Sequence, residues 1–297
     1  MRATPPVVSR LLAAQFPQWA DLPLRRVDPD GWDNVTYRLG DSLSVRLPSA
    51  DCYAAQVEKE HRWLPLLAPR LPFAIPQPVA RGVPSADFPM PWSVYRWLDG
   101  DVATVDRISD LSVFASDVAR FLAALRDVDP VGGPRPGLHS WFRGGPLSTL
   151  DGPTRRVVAA LDGTIDRTAV SAVWDGAVDA TTEGPDTWVH GDVTGSNLLV
   201  VDGHLSAVID FGCCAVGDPA CDVAIAWTLF HGESRRAFRA AIGVDDATWE
   251  RGRGWALWKA LIDVPAELDG ETEAWRRMGW RVSALGVVAE VLADAPA

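Results

Sequence analysis

The sequence predicts an α+β protein with two domains, a small antiparallel β-sheet domain that carries one main helix and a larger domain that is mostly helical. Short β-type runs separated by turn residues fill residues 22–47, whereas apolar residues recur at helical spacing over most of the chain beyond residue 100. The turn pair Asp99-Gly100 follows an aromatic run and separates the two patterns. We therefore predict domains at residues 1–98 and 99–297.

The individual elements follow from the same periodicities. In the first domain, strands are expected at 22–27, 35–39, 43–47 and 92–98, and the main helix is expected at 51–67 with Asp51 as its N-cap. In the second domain, short strands and loops fill residues 187–211. The helices expected there are 111–126, 147–161, 167–178, 219–230, 234–242, 248–261 and 272–292.

Length and composition describe an ordinary globular protein. The chain has 297 residues, enough for two hydrophobic cores, with 47% hydrophobic and 23% charged residues. It contains no uninterrupted apolar run of about 18 residues that would predict a membrane helix. The N-terminus lacks the apolar core of a signal peptide. We expect a cytoplasmic protein with no membrane partner.

The four cysteines predict neither a disulfide framework nor a zinc site. They are unevenly scattered, at positions 52, 213, 214 and 221, and the adjacent pair lacks the spacing with which two thiolates share one metal. We expect them to be small buried thiols.

The distribution of charge favours small ligands over nucleic acid. The net charge of −11 argues against a nucleic-acid partner, because neutralising phosphates needs a basic surface. The first 98 residues hold 11 basic and 9 acidic groups, whereas the rest hold 17 basic and 30 acidic groups. An anionic nucleotide would suit the first part and a cationic substrate the second, although an acidic surface also simply keeps a protein soluble.

A polar run within residues 187–211 has the residue types that phosphoryl transfer requires. Asp192 and Asn197 lie in His190-Gly-Asp-Val-Thr-Gly-Ser-Asn197, and Asp210 follows 13 residues after the asparagine. The chemistry needs a carboxylate that orients the attacking hydroxyl and oxygen ligands that hold Mg²⁺ against the nucleotide phosphates. The strands and turn between these residues can bring all three to one point.

This run resembles the aminoglycoside phosphotransferase family, whose members share a protein-kinase-like two-lobe fold. Family members carry H-G-D-x-x-x-x-N followed by I-D-[FW]-G, as residues 190–197 and 209–212 do here. Residues 217–222, Gly-Asp-Pro-Ala-Cys-Asp, also lead into an apolar helix as in the family. The resemblance implies Asp192 as the catalytic base or hydroxyl-orienting carboxylate, and Asn197 and Asp210 as ligands of Mg²⁺.

The resemblance also implies a function. It predicts a small-molecule kinase that transfers the γ-phosphate of ATP or GTP to a hydroxyl of an antibiotic-like acceptor, an aminoglycoside or a related compound. A metabolic kinase acting on an amino alcohol or a sugar is the first alternative. A nucleotide-binding regulator without activity is the second, and it is disfavoured because Asp192, Asn197 and Asp210 are all present.

In the first domain the resemblance implies the phosphate contacts of the nucleotide. Family members commonly place a lysine on the third strand, paired with an acidic residue on the following helix. Here Arg46 occupies the strand position, and it can contact phosphate oxygens with two N–H groups. Glu60 is the expected partner and Glu58 the alternative. The turn that ends at Asn34 corresponds to the turn that covers the nucleotide.

The segment before Asp99 resembles the hinge of the family, where backbone groups bind the nucleotide base. The groups implied here are the carbonyl of Trp97 and the N–H of Leu98. In protein kinases an arginine before the catalytic aspartate docks a phosphorylated loop, but Gly191 stands there in this chain. We therefore expect an enzyme that is active without phosphorylation.

Aromatic and acidic residues of the second domain are candidates for an acceptor site over Asp192. They could bind a small, cationic or partly apolar hydroxyl compound, although aromatic residues at helical spacing more often form core and loop acids are more often solvated. The tryptophans are Trp141, Trp174, Trp249, Trp255, Trp258, Trp275 and Trp280. The acids are Glu250, Asp263, Glu267, Asp269, Glu271 and Glu273. We expect a monomer or a dimer.

Overall fold

Residues 3–28, 31–181, 184–271 and 274–294 are described by a computed structural model. The chain divides into two units, Met1–Arg70 with Ala74–Asp99, and Leu71–Phe73 with Gly100–Ala297. The first unit is built on a β-sheet and the second is mostly helical. The predicted α+β class is confirmed.

The first unit contains an antiparallel sheet of five strands. They are β1 (Leu24–Arg26), β2 (Asn34–Leu39), β3 (Leu43–Pro48), β4 (Pro78–Gly82) and β5 (Trp92–Arg96). Their order is β1-β2-β3-β5-β4. The register of β3 sets Arg46 opposite Thr36 on one side and Ser93 on the other. Arg46 is therefore held at the centre of the sheet.

The first unit also contains two α-helices. The first, α1 (Pro5–Gln15), lies outside the predicted elements and begins with two prolines, which are well tolerated in the first turn of a helix. It buries Val8, Leu11 and Leu12 in the cluster that also contains Trp92 of β5. The second, α2 (Ala54–Leu67), follows a 3₁₀ turn at Asp51–Tyr53, so Asp51 is not its N-cap as predicted. Asp51 lies one turn too early.

The second unit combines five short strands with nine helices among its described residues. The strands are β6 (Asp101–Val102), β7 (Thr187–Val189), β8 (Leu198–Val201), β9 (His204–Val208) and β10 (Ala215–Gly217). They form a three-stranded sheet, β6-β8-β9, and the pair β7-β10. The helices are α3 (Leu111–Arg126), α4 (Asp151–Ala160), α5 (Arg167–Asp179), α6 (Ala220–Val223), α7 (Ile225–Thr228), α8 (Gly232–Ile242), α9 (Asp246–Leu268), α10 (Ala274–Arg277) and α11 (Ala284–Ala293).

Helix α9 is the central element of this unit. It packs against α4, α5, α6 and α11 and buries Trp255, Leu257 and Leu261 completely. It is longer than the predicted 248–261. The predicted helix 272–292 is wrong, because the described part of this segment forms two helices separated by Gly279, whose positive φ of 68° is incompatible with a continuous helix.

Cys213, Cys214 and Cys221 are buried thiols, but Cys52, in the 3₁₀ turn before α2, is exposed, contrary to prediction. Among the helices described, none combines the length and the apolar character needed to cross a membrane.

Candidate active site

The loop between β7 and β8 is held by a buried carboxylate. Asp222 on α6 accepts hydrogen bonds from the backbone N–H of His190 at 2.8 Å and of Gly191 at 2.7 Å. Burial raises the pKa of Asp222 above its ordinary value, while His190 and these two N–H groups act in the opposite direction. Asp222 therefore braces the backbone of this loop.

His190 ties the same loop to the segment after β9. Its Nε2 lies 3.0 Å from the carbonyl of Ile209, and its Nδ1 accepts from the N–H of Asp192 at 3.2 Å. Because Nδ1 accepts a hydrogen bond, the ring N–H that faces the Ile209 carbonyl is on Nε2. His190 is completely buried, so it positions backbone on both sides of the site.

Gly191 occupies a position where no side chain fits. Its φ is +85°, and a Cβ atom there would lie 2.6 Å from the carbonyl oxygen of Cys213 and 3.0 Å from Cβ of Arg143. Both the backbone conformation and the close approach therefore require glycine. The sharp turn at Gly191 leads directly into Asp192.

The carboxylate of Asp192 contacts two nitrogen donors. Lys259 of α9 donates to Oδ1 at 3.0 Å, and Nδ2 of Asn197 lies 3.3 Å from Oδ2. The Asp192 side chain is 37% exposed, whereas that of Lys259 is 6% exposed. Burial by itself would raise the pKa of Asp192, but the charges of Lys259 and Arg143 hold it below its ordinary value. Asp192 is therefore ionised and open to a ligand on one side.

Asn197 and Asp210 are joined through the backbone. Nδ2 of Asn197 donates to the carbonyl of Asp192 at 2.9 Å, so the side-chain oxygen is the atom that can bind a cation. The Asn197 carbonyl accepts from the N–H of Ile209 at 2.8 Å, directly before Asp210. Asp210 has a left-handed backbone, with φ 66° and ψ 69°. Non-glycine residues in this region cluster at functional sites.

An amide oxygen and a carboxylate fit the hard-oxygen chemistry of Mg²⁺. Among the described residues, no group of three or more His, Cys, Asp and Glu side chains that could enclose a metal is found. Mg²⁺ usually keeps water and phosphate ligands beside one or two carboxylates, so Asn197 and Asp210 suffice as a protein contribution. Their role as ligands stays a prediction.

In the first unit, half-buried Arg46 pairs with buried Glu60. Nη1 of Arg46 lies 3.6 Å from Oε1 of Glu60, and the hydroxyl of Tyr95 donates to the other oxygen of Glu60. Glu58, the alternative partner, is exposed and lies 3.8 Å from Arg81. Burial and the neighbouring Glu60 raise the pKa of Tyr95 well above its ordinary value. Tyr95 therefore keeps its proton and keeps donating to Glu60.

The other predicted nucleotide contacts lie at strand ends. Asn34 is the first residue of β2, opposite Pro48. The N–H of Trp97 donates to the carbonyl of Ser42 at 2.8 Å, and its indole N–H donates to Asp99 at 3.0 Å. Leu98 follows the end of β5. Nucleotide binding by these residues stays a prediction.

Sequence reasoning missed two cations beside Asp192. Lys259 could have been noticed, because it is a single lysine within an apolar stretch of helix. No sequence pattern indicates that Arg143 lies near Asp192, because its position depends on how the loop before α4 folds. Its guanidinium stacks on Trp258 at 4.5 Å from the ring centroid, and its Nε is buried without a hydrogen-bond partner. Its Nη1 donates to the carbonyl of Trp141 at 3.4 Å.

Most of the aromatic and acidic residues suggested for the acceptor site are buried, paired with other groups or exposed to solvent. Five of the seven tryptophans are buried, and Trp141, with φ 50°, is exposed. Glu250 pairs with Arg253 at 2.6 Å, and Glu267 accepts from the N–H of Leu285. Asp269 and Glu271 are exposed. Glu273 lies outside the described residues.

Comparison with known proteins gives a family and a fold. The family model described as "Phosphotransferase enzyme family" matches residues 25–255. No curated protein matches the chain in sequence. The GDP and kanamycin complex of APH(2'')-IIIa is 18% identical, with 97% of this chain and 99% of that chain covered and a TM-score of 0.71.

Two further solved structures have the same fold. The streptomycin–ATP complex of APH(2'')-IIa is 18% identical, with 99% and 97% coverage and a TM-score of 0.62. The macrolide 2'-phosphotransferase MphH from Brachybacterium faecium is 21% identical, with 97% and 99% coverage and a TM-score of 0.60. The protein-kinase-like fold predicted from the sequence is thereby confirmed.

Proposed function

Since the chain belongs to the phosphotransferase enzyme family, whose model matches most of its length, we propose that it transfers the γ-phosphate of ATP or GTP to a hydroxyl of an antibiotic-like small molecule. The observation that carries this proposal is the geometry of Asp192. The carboxylate is ionised, held by two donors and 37% exposed. Such a group can orient an acceptor hydroxyl and accept its proton.

In the proposed reaction, Asp192 aligns the hydroxyl oxygen with the γ-phosphorus. The bond from acceptor oxygen to phosphorus forms, the bond from phosphorus to the β-phosphate oxygen breaks, and the nucleoside diphosphate leaves. The hydroxyl proton passes to Asp192. Mg²⁺, when bound by Asn197 and Asp210, would neutralise charge on the phosphates. Arg46, kept in place by Glu60, would contact the other nucleotide phosphates.

Either purine nucleotide is a candidate donor. Two of the similar solved structures are named as complexes with GDP and with ATP, respectively. In this chain the proposed base contacts are the backbone groups of Trp97 and Leu98, which select by hydrogen-bond pattern rather than by charge. The proposed monomeric or dimeric state and cytoplasmic location are predictions from the sequence.

The charges beside Asp192 favour a second candidate, a metabolic kinase for a sugar. Lys259 and Arg143 are both cations, and Glu250 and Glu267 are engaged with other groups. Because these two cations offset the charge of Asp192, a cationic acceptor, whether an amino alcohol or an aminoglycoside, gains no electrostatic advantage there over a neutral polyol. This observation sets the sugar above the amino alcohol among the metabolic acceptors.

A coupled assay of nucleotide consumption tests the proposal. ATP and GTP should be supplied with aminoglycosides, macrolides, amino alcohols and sugars, with and without a chelator of Mg²⁺. We expect acceptor-dependent consumption that the chelator stops, and loss of at least about 10³-fold in kcat for Asp192→Asn. Asp269→Asn, an exposed carboxyl on the same unit, is the matched control. An Asp192→Asn variant with the wild-type rate would refute the mechanism.

A further inference from the structure

Lysine is rare in this chain, and Lys259 is held inside the second unit. Only Lys59 and Lys259 are lysines among the 28 basic residues. Lys259 lies on α9 between Trp258 and Ala260, both of which are buried. Its side chain is 6% exposed. A buried ammonium group is costly unless a partner compensates its charge, so the partner indicates what the residue is for.

That partner is Asp192, whose carboxylate then has a nitrogen donor at each of its two oxygens. Nζ of Lys259 lies 3.0 Å from Oδ1, and Nδ2 of Asn197 lies 3.3 Å from Oδ2. With one donor on each oxygen, rotation of the carboxylate about its Cβ–Cγ bond is restricted. The exposed part of Asp192 is therefore presented in a fixed direction.

The helix that carries Lys259 is itself fixed in place. A Cβ atom on Gly252 would lie 2.6 Å from the side chain of Val223, and one on Gly254 would lie 2.6 Å from Cβ of Ala177. These close approaches leave α9 little freedom to shift against α5 and α6. The ammonium group thus starts from a rigid base, which a positioning group needs.

We propose that Lys259 is a positioning residue of the transfer reaction, which acts through Asp192 by fixing the direction in which its carboxylate meets the acceptor hydroxyl. This rests on the proposed function, because it assigns Asp192 to the reaction. A misplacement of about 1 Å at a reacting group lowers rates by about 10²-fold. Lys259 therefore affects turnover more than the binding of nucleotide.

The choice of lysine over arginine has a physical reason. The ammonium group is a compact point donor on a flexible stem, whereas a guanidinium is a planar fork that needs more room. In a site where the lysine side chain is only 6% exposed, the fork would displace Asp192. We expect Lys259→Arg to restore charge without restoring the full rate.

The test compares Lys259→Met with Arg253→Met in the same assay of phosphate transfer, with transfer to water measured as well. Arg253 is the matched control, because it is a buried cation on the same helix that pairs with Glu250 and Asp294 instead. We expect Lys259→Met to lower kcat by about 10- to 100-fold with an unchanged KM for nucleotide. Arg253→Met should keep kcat, although both variants lose stability.

A double variant separates positioning from mere stabilisation. In an Asp192→Asn background, Lys259→Met should change the residual rate by less than about twofold, because the two residues act as one unit. An equal loss in both backgrounds, or a Lys259→Met enzyme with wild-type kcat, would overturn the proposal. The proposed function fails differently, namely when the wild type transfers phosphate neither to an acceptor nor to water.

Discussion

Asp263 is expected to make the second unit less stable as the pH rises. This residue lies on α9, one turn after Lys259. Burial raises the pKa of its carboxyl to about 6 from an ordinary value of 3.8, and the charge of Lys259 acts in the opposite direction. Because the pKa is higher in the folded state, the folded protein binds this proton more tightly than the unfolded chain does.

The direction and size of the effect follow from that difference. The contribution of Asp263 is fully favourable below about pH 4 and is lost as the pH rises through about 6. A pKa difference of about two units corresponds to ~3 kcal/mol. Partial contact of the side chain with water reduces this to about 1–2 kcal/mol. Asp263→Asn removes the titration and should abolish the loss.

Urea unfolding of the wild type and of Asp263→Asn at pH 4 and pH 8 measures this effect. Between pH 4 and pH 8, the difference in unfolding free energy between Asp263→Asn and the wild type should shift by about 1–2 kcal/mol in favour of the variant. Asp269→Asn, an exposed carboxyl just past the end of α9, serves as the control and should show no such gain. A variant whose difference from the wild type is the same at both pH values would refute the assignment of a raised pKa to Asp263.

Two further predictions concern the loop that carries Asp192 and the first unit. Gly279→Ala should lower kcat and cost about 2–4 kcal/mol of stability, because the new Cβ would lie 2.7 Å from the backbone of Gly195 and Ser196. Enzyme kinetics and urea unfolding measure the two effects. A fully active variant would contradict the close packing. Tyr95→Phe removes a donor from buried Glu60 and should cost about 2 kcal/mol. Its KM for nucleotide should also rise while kcat stays, and an unchanged KM would separate Glu60 from nucleotide binding.

The local parts of the fold and of the site could be predicted from the sequence. The strands β2 and β3 have clear alternation and turn residues at both ends. Only a loop, two short strands and a turn separate Asp192, Asn197 and Asp210, so their spacing can be read directly from the sequence. The prediction failed where the pattern was ambiguous. The two prolines that begin α1 are also typical of a loop, so no helix was expected there. The apolar spacing after residue 272 continues across Gly279, so one helix was expected where two are found.

The parts that could not be predicted depend on contacts between distant segments. Lys259 reaches Asp192 across 67 residues of sequence, and only the packing of α9 brings them together. Arg143 reaches the same place from a loop whose residues Trp141 and Phe142 have positive φ angles of 50° and 60°. Neither conformation is favoured locally, so no propensity indicates it. The electrostatic surroundings of Asp192 are therefore a property of tertiary structure.

The absence of a side chain at Gly191 limits how this enzyme can evolve. Any larger residue there would overlap the carbonyl of Cys213, so a single substitution cannot install an arginine that senses a phosphorylated loop. The chain also runs from Asp210 to Asp222 without an inserted segment that could carry such a phosphate. We therefore expect its activity to follow the supply of nucleotide and acceptor rather than the phosphorylation state of the chain.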